Sequence, residues 1–138
     1  MPKLLQTVTL GRDVRILITS SLAVHYGLPS TGQALDRMKT ADCLSSPYQR
    51  YAHSKLANIL FARKLSQLYP SIRSVSYSPG HVKTDLFKKA TGVNKWLKKF
   101  VFKPLLWLIS VSAEKGAKNG IWVAVSPNLV NGAYYEPV

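Results

Sequence analysis

The sequence predicts an α/β fold, a parallel sheet of about three strands with flanking helices, and three observations support this prediction. Residues 14–19, VRILIT, form a β-branched apolar run of strand length that ends at two serines. Residues 73–78, RSVSYS, alternate like a second strand and stop at a Pro-Gly turn. The stretch 47–69 between them has the length of a helix, so this order predicts a right-handed strand–helix–strand crossover.

A later helix and a short last strand complete the predicted layers. Ser112, followed by Ala and Glu, is typical of a helix start, so we expect a helix over 113–125 with Trp122 in the core. A glycine and a pair of tyrosines follow, which predicts a strand near 133–136 after a turn.

Length and composition favour one globular domain. The chain has 138 residues, 46% of them hydrophobic, which is enough for a sizeable core. Cys43 is the single cysteine, which excludes an internal disulfide and favours a reducing compartment. The first residues have no apolar core of signal-peptide length, and no stretch reaches the roughly 18 apolar residues of a membrane span. We therefore expect a cytoplasmic protein.

Tyr51 and Lys55, in the sequence YAHSK, form the most informative motif of the chain. Residues four apart lie one above the other on a helix, where a lysine ammonium favours the phenolate of a tyrosine and makes it a usable acid and base. The less specific interpretation is a solvated helix start whose tyrosine packs on the core. The crossover, however, places Ser21, Tyr51 and the Pro79–Gly80 turn at one edge of the sheet, which favours the functional interpretation.

Four segments resemble the short-chain dehydrogenase/reductase family, and in particular its retinol-dehydrogenase-like group, common among fungal oxidoreductases. The segments are ILITSSLA, YAHSKLANILFARKL, SYSPGHVKTDLF and SAEKGAKNGIWVAVSPNLVNGAYYEPV, and they follow the family's order. The resemblance implies a Rossmann-type sheet and an oxidoreductase that transfers hydride to or from the carbonyl or alcohol of a small, lipophilic substrate. The cofactor it implies is NADP, with NAD as the alternative.

The resemblance also implies roles for individual residues. Ser21 would hydrogen-bond the substrate carbonyl, Tyr51 would donate or accept the proton, and Lys55 would bind the nicotinamide ribose. The turn SPGHVKT resembles the segment that lies over the nicotinamide. The cofactor-binding residues implied in this way are Tyr51, Lys55, Pro79, Gly80, Val82 and Thr84.

The sequence departs from the family because it has no TGxxxGxG fingerprint and no family asparagine upstream of Ser21. Gly116 and Gly120 have part of the spacing but fall on a predicted late helix. Residues 1–138 are therefore expected to be a single incomplete domain, the carboxyl-terminal half of a doubly wound parallel sheet, with 1–11 as the tail of a preceding helix. Its first strand would lack a partner, which favours poor solubility or a homo-oligomer. A catalytically inactive truncated homologue is the alternative.

The net charge of +13 is unevenly distributed. Seven lysines lie within residues 83–103, interleaved with aromatic and aliphatic residues. We interpret 86–111 as a variable substrate region whose lysines are solvated. The alternative is a basic membrane- or partner-binding module, with peripheral membrane contact through 95–109. The sequence shows no helix-turn-helix, zinc-ligand or RNP-type pattern, so nucleic acid is not an expected partner.

The three histidines, His25, His53 and His81, lack the spacing of a metal site, so no metal is predicted. Loop or surface positions are expected for all three. Residues 27–46 have the Pro, Ser, Thr and Gly content of a loop.

Overall fold

The computed structural model describes residues 1–26, 47–82 and 111–137. These residues form a three-stranded parallel sheet with flanking helices, which confirms the predicted α/β class. The elements in chain order are α1 Pro2–Thr9, β1 Arg15–Thr19, α2 Ala23–Tyr26, α3 Pro47–Leu68, β2 Arg73–Tyr77, α4 Ala113–Val125 and β3 Tyr134–Tyr135. The predicted loop at 27–46, Thr84 and the basic segment within 83–103 lie outside the described residues.

The sheet has the order β1-β2-β3, so β2 is the central strand of the described part. The register between β1 and β2 runs from Arg15 opposite Arg73 to Thr19 opposite Tyr77. The last strand has two residues, fewer than the four predicted. Since all strands are parallel, their carboxyl ends meet at one edge, where open α/β sheets place their ligands.

Helices α3 and α4 cover opposite faces of the sheet. The Ser20 hydroxyl, just after β1, donates to the Lys55 carbonyl of α3 at 2.8 Å. Thr19, one residue earlier, donates instead to the Tyr77 hydroxyl, and the Tyr77 ring lies against Gly120 of α4. Because successive strand side chains point to opposite faces, the two helices lie on opposite sides.

The core forms where both faces of β2 are covered. Ser74, Val75 and Ser76 are fully buried, as expected for a central parallel strand. The apolar residues that complete the core come from the helices and the turns between elements. They are Val14, Ala23, Val24, Ala52, Ala62, Leu65, Ile72 and Val123.

Helix α4 begins as predicted, but its tryptophan does not lie in the core. The Ser112 hydroxyl accepts a hydrogen bond from the Lys115 backbone N–H at 3.3 Å, which caps the helix. Trp122 is 47% exposed, so the expectation of a core position was wrong. Its ring packs edge-on against Tyr135, with centroids 5.3 Å apart, because the helix turns Gly116 and Val123 inward instead.

The expectation of loop or surface histidines was wrong for His53. Its side chain is completely buried in α3, and neither ring nitrogen has a hydrogen-bond partner within the described ranges. It lies beside the buried Ala52, whereas the adjoining Ser54 is exposed. His25 lies on the short helix α2, and His81 lies just beyond β2. Among the described residues, no helix combines the length and apolar character needed to cross a membrane.

The close approach of α4 to β2 predicts graded effects of two glycine substitutions. In Gly116→Ala the new methyl group would overlap the Val82 side chain, which is β-branched and stiff. In Gly120→Ala it would lie 3.1 Å from Tyr77, a contact that a small shift relieves. We expect Gly116→Ala to lower the free energy of unfolding by about 1–3 kcal/mol, despite the better helix propensity of alanine, and Gly120→Ala to lower it less. Urea unfolding followed by circular dichroism measures both. Equal stability of Gly116→Ala and wild type would contradict this packing.

Candidate active site at the carboxyl end of the sheet

The structure brings Tyr51 and Lys55 together in the first turns of α3. The Lys55 ammonium nitrogen lies 5.6 Å from the centroid of the Tyr51 ring, within the range of a cation–π contact. Both side chains are partly exposed, so a ligand can reach them. A phenol and an ammonium are both groups that can give up or take up a proton. The pair therefore has the chemistry of a proton donor and acceptor.

Three hydrogen bonds hold this part of α3 to the end of β1. The Thr19 carbonyl accepts from the Asn58 amide at 2.9 Å and from the Lys55 ammonium at 3.4 Å. The Ser20 hydroxyl donates to the Lys55 carbonyl at 2.8 Å. Lys55 is thus fixed to the strand through its backbone, and its ammonium makes a longer contact with the Thr19 carbonyl.

The two serines after β1 have different environments. Ser20 is only 2% exposed, and its backbone N–H donates to the Tyr77 carbonyl at 2.7 Å, so it belongs to the packed interior. Ser21 is partly exposed, and its hydroxyl oxygen accepts from the Ala23 backbone N–H at 3.2 Å, at the start of α2. In that bond Ser21 uses its oxygen as acceptor and not its proton.

The Pro79–Gly80 turn lies at the same edge because β1 and β2 are parallel. Gly80 has a φ of 79°, a conformation that favours glycine, and its N–H donates to the Ser78 hydroxyl at 3.1 Å. A Cβ on Gly80 would lie 3.0 Å from the Pro137 ring, so the turn packs closely on the segment after β3.

Beyond the turn, the chain is held by a short parallel bridge. Val82 pairs with Val111, and the Val111 N–H donates to the His81 carbonyl at 2.8 Å. Of the sequence-predicted site residues, all but Thr84 are therefore described, and the strands bring them to one edge of the sheet.

Helix α4 supports the turn from the other side. The Asn119 amide donates to the Ser78 carbonyl at 2.6 Å, next to Pro79. Between this helix and the end of β2 lies an open groove of about 500 Å³. Its lining is mostly apolar and consists of Tyr77, Pro79, Val82, Ala113, Gly116, Ala117, Gly120, Ile121 and Ala124.

Sequence reasoning missed several polar residues that organise this edge. Asn58 is three residues after Lys55 on the same helix face, and this spacing was a usable signal. The Nε2 atom of His25 and the Glu136 carboxylate lie 2.5 Å apart, a contact that joins α2 to the segment after β3. No sequence signal indicated that pair, since the two residues are 111 positions apart. Among the described residues, no cluster of His, Cys, Asp and Glu could hold a metal.

Tyr134 is the most perturbed titratable group in the described part of the chain. Burial raises the pKa of Tyr134 to about 12; the Ser78 hydroxyl counteracts the rise in part, and the Glu136 carboxylate adds to it. Its hydroxyl is inaccessible to solvent and makes no hydrogen bond of good geometry to another described residue. The protonated phenol is therefore the form that the fold accommodates.

The fold and the site define a partial Rossmann-type α/β domain with polar groups at its carboxyl edge. No family model matches the chain. Polyprenol dehydrogenase of Homo sapiens is 32% identical over 130 residues, which cover 90% of this chain and 37% of that protein. Dehydrogenase/reductase SDR family member 13 of Bos taurus is 34% identical over 89 residues, or 62% of this chain and 23% of that protein. A short-chain dehydrogenase/reductase of Armillaria gallica is 28% identical over 147 residues, or 99% of this chain and 42% of that protein.

The chain therefore belongs to the short-chain dehydrogenase/reductase family, which confirms the resemblance seen in the sequence. It spans less than half the length of each of these relatives.

The raised pKa of Tyr134 predicts a loss of stability at high pH. Between its ordinary value of 10 and about 12, the unfolded phenol releases its proton while the folded one keeps it. The stability contributed by the protonated phenol is present below pH 10 and is lost as the pH rises towards 12. We expect Tyr134→Phe to lose less stability than wild type between about pH 9 and 11, as measured by urea unfolding. Tyr26→Phe, at an exposed position, is the control. An equal loss in Tyr134→Phe and wild type would show that this phenol is not responsible.

Proposed function

We propose that this chain provides the proton-transfer site and the nicotinamide end of an NAD(P)-dependent oxidoreductase. The reaction is hydride transfer to or from the carbonyl or alcohol of a small, lipophilic substrate. The observation that carries the proposal is the Lys55 ammonium 5.6 Å from the centre of the Tyr51 ring, at the carboxyl edge of a parallel sheet. Family membership supports it, because the relatives are named as dehydrogenases and reductases.

The polar groups at this edge fit the nicotinamide ribose end of NADP, the proposed cofactor, with NAD as the alternative. A hydroxyl at Tyr51 and an ammonium at Lys55 are suited to ribose hydroxyls, and the backbone of the Pro79–Gly80 turn is suited to the carboxamide. Val82 and Thr84 complete the proposed set. The described residues contain no glycine-rich turn between a strand and a helix that would hold the pyrophosphate.

Proton transfer follows from the placement of three side chains. When bound, the cofactor supplies or accepts the hydride. In reduction, the Tyr51 hydroxyl gives its proton to the substrate oxygen as this oxygen gains negative charge, and in oxidation the phenolate takes that proton back. The Lys55 ammonium stabilises the phenolate that remains after reduction. The Ser21 hydroxyl donates a hydrogen bond to the same substrate oxygen and orients it.

The proposed lipophilic substrate has two supports. One relative is named for its action on polyprenol. In addition, the groove of about 500 Å³ beside Pro79 and Val82 is mostly apolar, and its size lies within the usual range of ligand sites. A cytoplasmic location, peripheral membrane contact and a homo-oligomer remain predictions.

Tyr51→Phe tests the proposed acid–base role. The substitution keeps the ring against Lys55 and removes the hydroxyl, so we expect turnover of an aliphatic aldehyde with NADPH to fall by about 10²-fold or more while NADPH binding is retained. Fluorescence titration measures binding, and NADPH absorbance measures turnover. Tyr69→Phe, which removes a hydroxyl just beyond the other end of α3, is the matched control. If the wild-type chain binds neither NADPH nor NADH at about 100 μM, well above the usual KM range, the proposal fails and a non-catalytic homologue is favoured.

The two serines after β1 should respond differently to substitution. Ser20→Ala removes a buried hydrogen bond to the Lys55 carbonyl, so we expect a loss of about 1 kcal/mol in the free energy of unfolding. Ser21→Ala removes the donor to the substrate oxygen, so we expect turnover to fall by about 10-fold or more with little change in NADPH affinity. Urea unfolding and steady-state kinetics on both variants measure the contrast. The reverse pattern would assign the substrate contact to Ser20.

A further inference from the structure

The carbonyl of Thr19 is shared by two donors from α3. Asn58 and Lys55 are three residues apart and lie on the same helix face, one turn from each other. The Asn58 amide reaches the carbonyl oxygen at 2.9 Å, the usual length of an N–H···O bond. The Lys55 ammonium reaches it at 3.4 Å, beyond the usual range. The carbonyl is therefore satisfied mainly by the asparagine.

Because Asn58 makes the shorter bond to the Thr19 carbonyl, the ammonium of Lys55 is available for other contacts. An ammonium has three donors, and the long bond to Thr19 uses at most one of them weakly. The same nitrogen lies 5.6 Å from the Tyr51 ring centroid. Without the amide of Asn58, the Thr19 carbonyl would have Lys55 as the remaining donor of the pair. A charge-assisted bond would then shorten and draw the ammonium towards the strand.

We propose that Asn58 is a positioning residue for Lys55, which by occupying the Thr19 carbonyl keeps the ammonium turned towards Tyr51 and the cofactor ribose. This inference rests on the proposed function. Asn58 itself touches neither substrate nor cofactor, and it acts through the placement of a neighbouring charge. The effect is electrostatic, so it differs from a simple loss of packing.

Two substitutions distinguish the loss of the Asn58 hydrogen-bond donor from a loss of packing. Asn58→Ala removes the amide, and Asn58→Asp keeps its shape but replaces the donor with an acceptor that attracts Lys55. In both variants we expect the chemical shift of the Lys55 ¹³Cε nucleus to change, as measured by NMR on protein with ¹³C-labelled lysine. The Lys55 signal is assigned as the one that disappears in Lys55→Arg. We also expect kcat with NADPH at pH 7 to fall by about 10-fold, which is less than the usual loss when an acid–base group is removed. The pH profile of turnover should move to higher pH. Asn58→Gln, which retains the amide, should restore part of the wild-type behaviour.

Asn131→Ala is the matched control, because Asn131 also clamps strand backbone. Its side-chain oxygen accepts from the Ser74 N–H at 2.7 Å, and its amide donates to the Ile72 carbonyl at 3.2 Å, at the amino end of β2 and away from Lys55. We expect this variant to lose stability without moving the Lys55 resonance or the pH profile. If the Asn58 variants behave in the same way, Asn58 is only structural and the proposal is overturned.

The resonance also keeps this test separate from that of the proposed function. If wild type shows no turnover, the proposed function fails, but movement of the Lys55 resonance in Asn58→Ala or Asn58→Asp still supports the placement of Lys55 by Asn58. An unmoved resonance overturns it in either case.

Discussion

The junction between the end of β1 and the third turn of α3 determines the geometry of the candidate site. The Thr19 carbonyl accepts a hydrogen bond from the Lys55 side chain, and the Ser20 hydroxyl donates one to the Lys55 backbone carbonyl. Both contacts lie where the strand stops pairing with β2 and the chain turns away. The buried Ser20 hydroxyl finds its partner on the helix, because an unpaired hydroxyl would be costly. The strand and the helix therefore keep a fixed relative position. Tyr51 lies on the same helix, one turn before Lys55.

The two faces of the sheet achieve close packing by different means. On the α3 side, the small and buried Ser20 contacts the helix through its hydroxyl, which donates to the Lys55 carbonyl. On the α4 side the helix itself provides the small residues, Gly116 and Gly120, which lie against Val82 and Tyr77. The carboxyl edge is thus supported from both sides, while the side chains that project from it remain accessible.

Local patterns predicted the three strands, helices α3 and α4 and the Tyr51–Lys55 pair, since each depends on spacing within one element. The exposed position of Trp122 could not be predicted in this way, because the inward face of α4 combines small residues such as Gly116 with Val123. The burial of His53 could not be predicted either, because a buried histidine has no distinctive pattern. The hydrogen bonds that the Asn58 and Asn119 side chains donate at the ends of β1 and β2 were also not predicted. Their acceptors are backbone carbonyls 39 and 41 positions away, and any residue type offers such an acceptor.

The parallel order of the strands has a kinetic consequence. The hydroxyls of Thr19 and Tyr77, which face each other at the end of the β1–β2 pair, are 58 positions apart in the chain. The Arg15 guanidinium donates to the Val123 carbonyl across 108 positions. Chain segments of this length must close into loops before these contacts can form, and this closure costs conformational entropy. Folding rates fall as the mean sequence separation of contacts rises. Tyr51 and Lys55 meet within one helix, but Ser21 and the Pro79–Gly80 turn reach the same edge only through the pairing of β1 with β2.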